Sequence, residues 1–310
     1  METIISTIAP IFFLILIGFL SVRFSFVPQE IIPSLSRFVL YLALPALIFI
    51  KLSNMALHEV LQFDYIAVYA AGGLGTFSIT VLLSWRLLKS DLVDAGVRGV
   101  GATMSNSAFI GFPIVLQFFD HSLTQAFVMS LMVENIILFP LCLIFIETML
   151  GKSESHDKNL FRVVLKRIST NPLLITLAAV LLFSLFELSL PSFMSKGFDL
   201  LAAGASSAAL IVIGGSLVGV TIKGQWAPIL LVAFGKLVLF PVIVALCLIL
   251  TPNMSDELKT AVVIFASVSM FSSYPIVCGE YGARSFCAST LLITTVLSFF
   301  SLSILLHFFV

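Results

Sequence analysis

The sequence predicts an all-α polytopic membrane protein of ten transmembrane helices, arranged as two inverted five-helix halves. Composition points there first: 60% of the 310 residues are hydrophobic and only 10% are charged, against about 25% charged in ordinary soluble domains. Apolar stretches of roughly the 20 residues needed to cross a bilayer recur almost from end to end. One polar-marked stretch also repeats, from Ser105 to Ser267, at an offset of 267 − 105 = 162 residues.

Hydropathy, with turn residues as punctuation, places the spans near 4–22, 34–52, 64–87, 97–118, 123–149, 171–189, 197–220, 227–250, 258–280 and 284–309. Only Glu2 precedes the first span, with no basic n-region and no small-residue cleavage site after it, so it reads as a span rather than a signal peptide. The second contains Pro45. The third carries Gly72, Gly73 and Gly75, small residues that let helices approach closely. No strand-turn-helix context or P-loop ending surrounds those glycines, so ATP-driven transport has no support. The fourth holds Asn106, Gly111 and Pro113, and the fifth Glu134 and Asn135. Between the fifth and sixth, Gly151 to Asn159 is the one sustained polar segment. It divides the chain into a first five-helix repeat (1–150), a cytoplasmic linker (151–162) and a second five-helix repeat (163–310). The seventh span is rich in small residues, with Gly215 and Gly219 four apart, and packing is their expected role. The eighth carries Lys236, and the ninth Ser272, Tyr274 and Pro275, before a tenth apolar stretch.

Ten spans put the odd-numbered loops on one face. Those loops hold Arg23, Arg37, Arg86, Lys89, Arg98, Lys152, Lys158, Arg162, Lys166, Arg167, Lys223 and Arg284, twelve of the sixteen Lys and Arg. The other face keeps Lys51, Lys196 and Lys259. The positive-inside rule then puts both termini outside the cytoplasm.

Several function classes fall away. Formal net charge is zero, so no strongly basic surface exists for nucleic acid. Cys142, Cys247, Cys278 and Cys287 form no CxxC pair and lie near no histidine, which argues against structural disulfides and a metal site. His58, His121, His156 and His307 are scattered, no catalytic motif is present, and neither an enzyme nor a cofactor is expected.

In the repeat, Ser105 to Val115 lies over Ser267 to Val277 with six of eleven positions identical, including two serines, a phenylalanine and a proline. The offset also pairs Ala126 with Ala288. An odd number of crossings per copy starts the second copy on the opposite side, which makes a 5+5 repeat inverted, a signature of secondary transporters. Pro113 and Pro275 fall within their spans, where proline removes a hydrogen bond and clashes with the preceding turn, so each span is expected to break there. Broken backbone survives at membrane depth only inside protein or beside a wet cavity. Around the breaks lie Ser105, Asn106, Ser107 and Gly111 in one half and Ser267, Ser269, Ser272, Ser273 and Tyr274 in the other. These can bind a solute or satisfy freed backbone, and the half-helix N-termini favour an anion, a carboxylate for preference. Simple proline kinks with serines back-bonded to carbonyls would leave the same marks. Glu134 and Lys236 sit near span centres, where an unpaired charge costs at least about 2.5–3.5 kcal/mol. Lys236 is a candidate to attract the anion and Glu134 to take up a proton. A plain buried pair is the alternative.

These motifs resemble the auxin efflux carrier family, in its compact bacterial form, over essentially the whole chain. The resemblance rests on Ala9-Pro10-Ile11-Phe12, Gly18, Leu35 to Val39 and Leu44 to Phe49; on Asn106, Phe109, Gly111 and Pro113; on Lys236 and Pro241; and on Tyr274-Pro275 followed by Glu280-Tyr281-Gly282. Ser207-Ala208 departs from it, standing where the family commonly has a proline before the glycines at 214 and 215. The resemblance implies broken, crossing fourth and ninth helices, in outline like bile acid:sodium symporters. It also implies an organic anion such as malonate or malate as substrate, a bacterial inner (plasma) membrane, and a homodimer by analogy. The expected site is therefore Asn106, Gly111, Pro113, Ser272, Tyr274 and Pro275, with Glu134 and Lys236 in charge or coupling roles. The coupling ion, proton or sodium, stays open. A membrane channel or solute sensor using the same central cavity is the competing reading.

Overall fold

The structure, a computed structural model, describes residues 2–53, 61–119, 123–150, 165–166, 169–186, 188, 190–219 and 226–307. The expected linker at 151–162 lies outside the described residues, as do His58, His121, His156, Lys152, Lys158, Arg162, Arg167 and Lys223.

Among the described residues the chain is all-helical, with twelve helices. They are α1 (Glu2–Arg23), α2 (Gln29–Leu52), α3 (Phe63–Leu87), α4 (Leu92–Thr103), α5 (Ser107–Phe118), α6 (Thr124–Met149), α7 (Pro172–Leu185), α8 (Ser192–Ser216), α9 (Trp226–Leu248), α10 (Asp256–Ser267), α11 (Tyr274–Val277) and α12 (Arg284–His307). Six of them, α2, α3, α6, α8, α9 and α12, are long and apolar enough to cross a membrane. The protein is a polytopic membrane protein.

Among the described residues four helices contain a π-helical stretch, and each stretch is followed at the second residue by proline. Val39–Ala43 leads into Leu44-Pro45, Ser107–Gly111 into Phe112-Pro113, Val133–Leu138 into Phe139-Pro140, and Gly235–Leu239 into Phe240-Pro241. Proline has no N–H to give the carbonyl four residues back, and its ring crowds that carbonyl. A wider i→i−5 turn upstream makes room for it without ending the helix. Pro113 therefore does not break its span, as the sequence suggested. The interruption falls earlier, at residues 104–106, between α4 and α5. In the ninth span the interruption, residues 268–273, does run up to Tyr274-Pro275.

The chain divides into two compact units, each drawing on both sides of residue 150. Unit 1 comprises Met1–Gln62, Ala108–Met129 and Arg167–Val218. Its central contact is α1 against the second half of α8. A Cβ on Gly214 would stand 1.9 Å from the Ile15 carbonyl oxygen, and one on Gly18 would stand 2.3 Å from that of Ile211. The two backbones thus touch through reciprocal glycines, the close approach that small residues permit in membrane helices. Gly215 instead leaves room for a side chain, since an added Cβ would come within 2.5 Å of Ile32 Cδ1. α8 ends at Ser216, and Gly219 takes φ 78° in the turn beyond. α8 is interrupted at Gly204, and Ser207-Ala208 lie within the helix that follows.

Unit 2 comprises Phe63–Ser107, Ser130–Lys166 and Gly219–Val310. Here α3 supplies the close contacts. A Cβ on Gly72 would meet Val244 of α9 at 2.4 Å, and one on Gly73 would meet Leu138 of α6 at 2.5 Å. Gly235 lets α9 approach Ala102 of α4, where an added Cβ would come within 2.8 Å. These glycines draw α4, α6 and α9 in around α3, and the site described next lies among those helices.

Candidate functional site

Both interruptions of unit 2 contain extended backbone, around Ser105 and Met270, and these stretches pair with each other. Ser105 and Met270 form an isolated antiparallel bridge. The Asn106 N–H donates to the Ser269 carbonyl (2.9 Å) and the Phe271 N–H to that of Met104 (3.3 Å). Each break thereby gives the other backbone partners that lipid cannot provide. Side chains add a second tie: Asn106 Nδ2 donates to Ser272 Oγ at 2.9 Å.

Ser105, Asn106 and Ser107 then fan out to three different partners. Ser105 Oγ receives a hydrogen bond from Lys236 Nζ (2.6 Å), Asn106 reaches Ser272, and Ser107 Oγ donates to Glu134 Oε1 (2.5 Å). In the extended backbone, successive side chains point to opposite sides, which separates Ser105 from Asn106.

Lys236 is fully buried and Glu134 is 4% exposed. Both stand at the second position of a π-helical stretch ahead of a proline, and such widened turns often mark functional positions. The ammonium also donates to the Ala266 carbonyl (2.8 Å) and lies 4.4 Å from the centroid of the Phe240 ring. Ala266 is in the last turn of α10, whose carbonyls lose their intrahelical donors at the break and form the negative end of the helix dipole. The ammonium thus caps a half-helix.

Glu134 and Lys236 make no direct ion pair. Tyr69 of α3 stands between them. Its hydroxyl lies 2.7 Å from Glu134 Oε1, 3.1 Å from Ser105 Oγ and 3.4 Å from the Phe265 carbonyl oxygen. One turn earlier, Tyr65 shares a hydrogen bond with Ser130 (2.8 Å). Tyr65, Tyr69 and Ser130 escaped the sequence reading. Two tyrosines four apart inside a span, with hydroxyls on one helix face, were the available signal.

The other expected site residues separate. Tyr274 is fully buried, and its hydroxyl donates to the Val97 carbonyl (3.0 Å) against Gly101, so it anchors the start of α11 on α4. Pro275 is half-buried beside it, and α11 is only four residues long, too short for a strong dipole. Gly111 and Pro113 are buried and belong to unit 1, within α5. Asn135 donates to the Leu131 carbonyl one turn back (2.9 Å), Ser267 likewise bonds back to Val263 (2.6 Å), and Ser273 is exposed.

A family model described as membrane transport protein matches residues 3–306. The chain belongs to that family. It is the auxin efflux carrier family that the motifs resembled, a family of transporters and not of enzymes. Over 308 residues the chain is 25% identical to a protein of Rhizobium meliloti (strain 1021) named "Putative malonate transporter", covering 99% of this chain and 96% of the relative. It is 27% identical over 210 residues to an uncharacterized transporter of Methanocaldococcus jannaschii, 66% of each chain. It is also 26% identical over 220 residues to the lysosomal cholesterol signaling protein of Mus musculus, covering 67% of this chain but 25% of that longer protein. This member of the membrane transport family is accordingly a multi-pass membrane protein in which Ser105, Asn106, Ser107, Glu134 and Lys236 gather at two paired backbone breaks in unit 2.

Proposed function

We propose that this protein is a secondary transporter that moves a small organic anion, a carboxylate of the malonate or malate kind, by alternating access. The observation that carries the reading is the paired breaks at Ser105 and Met270, with Asn106 and Ser272 on them and the Lys236 ammonium one residue away. A carboxylate accepts hydrogen bonds only, and Asn106 Nδ2 and the Ser272 hydroxyl are donors of the matching kind. The name of the full-length Rhizobium relative supports the same substrate class. In this reading Tyr274 and Pro275 fix where α11 begins, and Gly111 and Pro113 shape the helix that continues from Ser107. The 5+5 inverted arrangement of ten spans in a bacterial inner membrane, with crossing helices four and nine and both termini outside the cytoplasm, is part of the proposal. It draws on the repeat of Ser105–Val115 in Ser267–Val277.

Counterflow into proteoliposomes, with a panel of labelled mono- and dicarboxylates, tests it. Saturable exchange of at least one carboxylate is the expected result. A flat panel from well-folded protein would remove the organic-anion reading, and ohmic currents without counterflow would establish a channel instead.

A further inference from the structure

We propose that Glu134, Tyr69, Ser105 and Lys236 form the binding site of a coupling proton, and that the Lys236 ammonium stands in the place a sodium ion would need. This rests on the transporter reading of the same breaks.

A small metal cation needs oxygen ligands, and the two that face this point, one from the helix end before the second break and one from a serine on the first, are already engaged by the ammonium. Lys236 Nζ uses the Ala266 carbonyl and Ser105 Oγ, at 2.8 and 2.6 Å. The Phe240 ring covers it at 4.4 Å. A sodium ion entering here would meet a fixed positive charge in a low-dielectric setting, where like charges repel strongly. A proton needs no such space, because Glu134 can bind it on a lone pair.

Charge bookkeeping favours a proton as well. Glu134 and Lys236 together are neutral, so each carboxylate group bound at Asn106 adds one uncompensated negative charge at membrane depth. Conversion of the Glu134 carboxylate and one H⁺ into the carboxylic acid cancels one such charge. Asn106 lies between Ser105 and Ser107, which hold Lys236 and Glu134 respectively, so anion and proton would report to one three-residue segment.

Tyr69 makes the link mechanical. Its hydroxyl has one proton and three acceptors within 3.4 Å. While Glu134 is ionised, the charge-assisted bond at 2.7 Å is the strongest of the three. Once Glu134 is protonated that advantage goes, and the phenol can turn its proton to Ser105 Oγ or the Phe265 carbonyl, both at the breaks. Release of the proton from Glu134 reverses the turn. Tyr69 is a positioning residue in this cycle, and Glu134 carries the proton.

The titratable groups that meet the pair are the Tyr65 and Tyr69 phenols on α3. On α4, Asp94 and Arg98 pair with each other. On α10, Asp256, Glu257 and Lys259 lie at the end opposite Ala266, and Arg284 opens α12. Of these groups Tyr69 bonds Glu134 directly and the others do not.

Infrared difference spectra of the purified full-length protein, taken from about pH 5 to about pH 9, read the proton without any substrate. The expected result is one titrating carboxylic C=O band, lost in Glu134→Gln, displaced in Tyr69→Phe and unchanged when sodium replaces choline. Net malonate uptake into substrate-free proteoliposomes at zero membrane potential is measured alongside. For one coupled proton, a one-unit pH gradient should give about tenfold accumulation, lost in Glu134→Gln. A band that survives Glu134→Gln, or that moves with sodium, overturns the proposal even if malonate is carried. A titrating Glu134 band in protein that carries no malonate supports the proton site and removes the carboxylate reading alone. Tyr69→Phe keeps the ring and its packing, so a titration identical to the wild type in that variant would overturn the relay without a folding defect.

Discussion

Asn106 donates its side-chain amide to Ser272 Oγ across 2.9 Å, joining the first break of unit 2 to the second. An isosteric or smaller residue at 106 removes this tie and a donor for the solute, yet leaves the Asn106 N–H to Ser269 bond in place. Asn106→Ala should therefore weaken carboxylate binding by about 1.5–3 kcal/mol, the range for hydrogen bonds to charged groups. Roughly tenfold to a hundredfold loss in affinity follows. Counterflow titration measures it, and a thermal unfolding curve close to the wild type shows that the fold survived.

The Lys236 ammonium has no carboxylate in direct contact and depends on Ser105, Ala266 and the field of Glu134. Removing one charge strands the other in a buried site. Lys236→Met should cost about 3–5 kcal/mol, whereas adding Glu134→Gln to it should restore much of that loss, because no buried charge then remains. A double-mutant cycle on unfolding midpoints checks it, and additive losses would mean that the two residues do not sense each other.

Much of this site was readable in the sequence, and the reasons for the shortfall are physical. Charge at span centres and a repeated Ser-x-Ser segment located Glu134, Lys236, Ser105, Asn106 and Ser107, because polar groups at membrane depth need partners and so attract attention. Proline placement misled on Pro113, since a π-helical turn absorbed it and moved the break to residues 104–106. Tyr69 was missed because tyrosine is unremarkable in an apolar span until its hydroxyl is seen 2.7 Å from a buried carboxylate. Tyr274 was placed in the binding site from its position next to Pro275, but its hydroxyl is spent on Val97. Which atom a side chain chooses depends on neighbours far away in the chain, and no local pattern encodes that.

Glycine positions in the helices give a sharp contrast. A Cβ on Gly214 would sit 1.9 Å from the Ile15 carbonyl oxygen, a backbone atom that cannot swing away. Gly214→Ala must push α1 and α8 apart and should lower the unfolding temperature and the yield of monodisperse protein. Gly197, also in α8, has nothing within 4 Å of a built Cβ. Gly197→Ala should be neutral or stabilising by up to about 1 kcal/mol, from helix propensity alone. Equal effects of the two substitutions would contradict the close α1–α8 approach.

Tyr281 closes the short turn after α11, and its hydroxyl donates to Glu147 Oε1 of α6 at 2.8 Å. Burial, then the bond to Glu147 and its charge, holds this phenol well above the ordinary tyrosine range, so it remains a neutral donor at working pH. A group raised in the folded state contributes stability below its unfolded value and loses it as pH climbs through the folded one. The wild-type advantage over Tyr281→Phe should thus hold steady around neutral pH, while Glu147 is a carboxylate, and shrink in alkali, beyond the ordinary tyrosine value of about 10. The half-exposed setting puts its size at about 1 kcal/mol, the typical worth of one hydrogen bond. Because the bond ties the segment beyond the second break to α6, the same variant should also change the rate of counterflow more than its apparent affinity. Unfolding midpoints across pH, together with the split between maximal rate and half-saturation in counterflow, decide the matter: an unchanged rate would make Tyr281 a stabilising contact and nothing more.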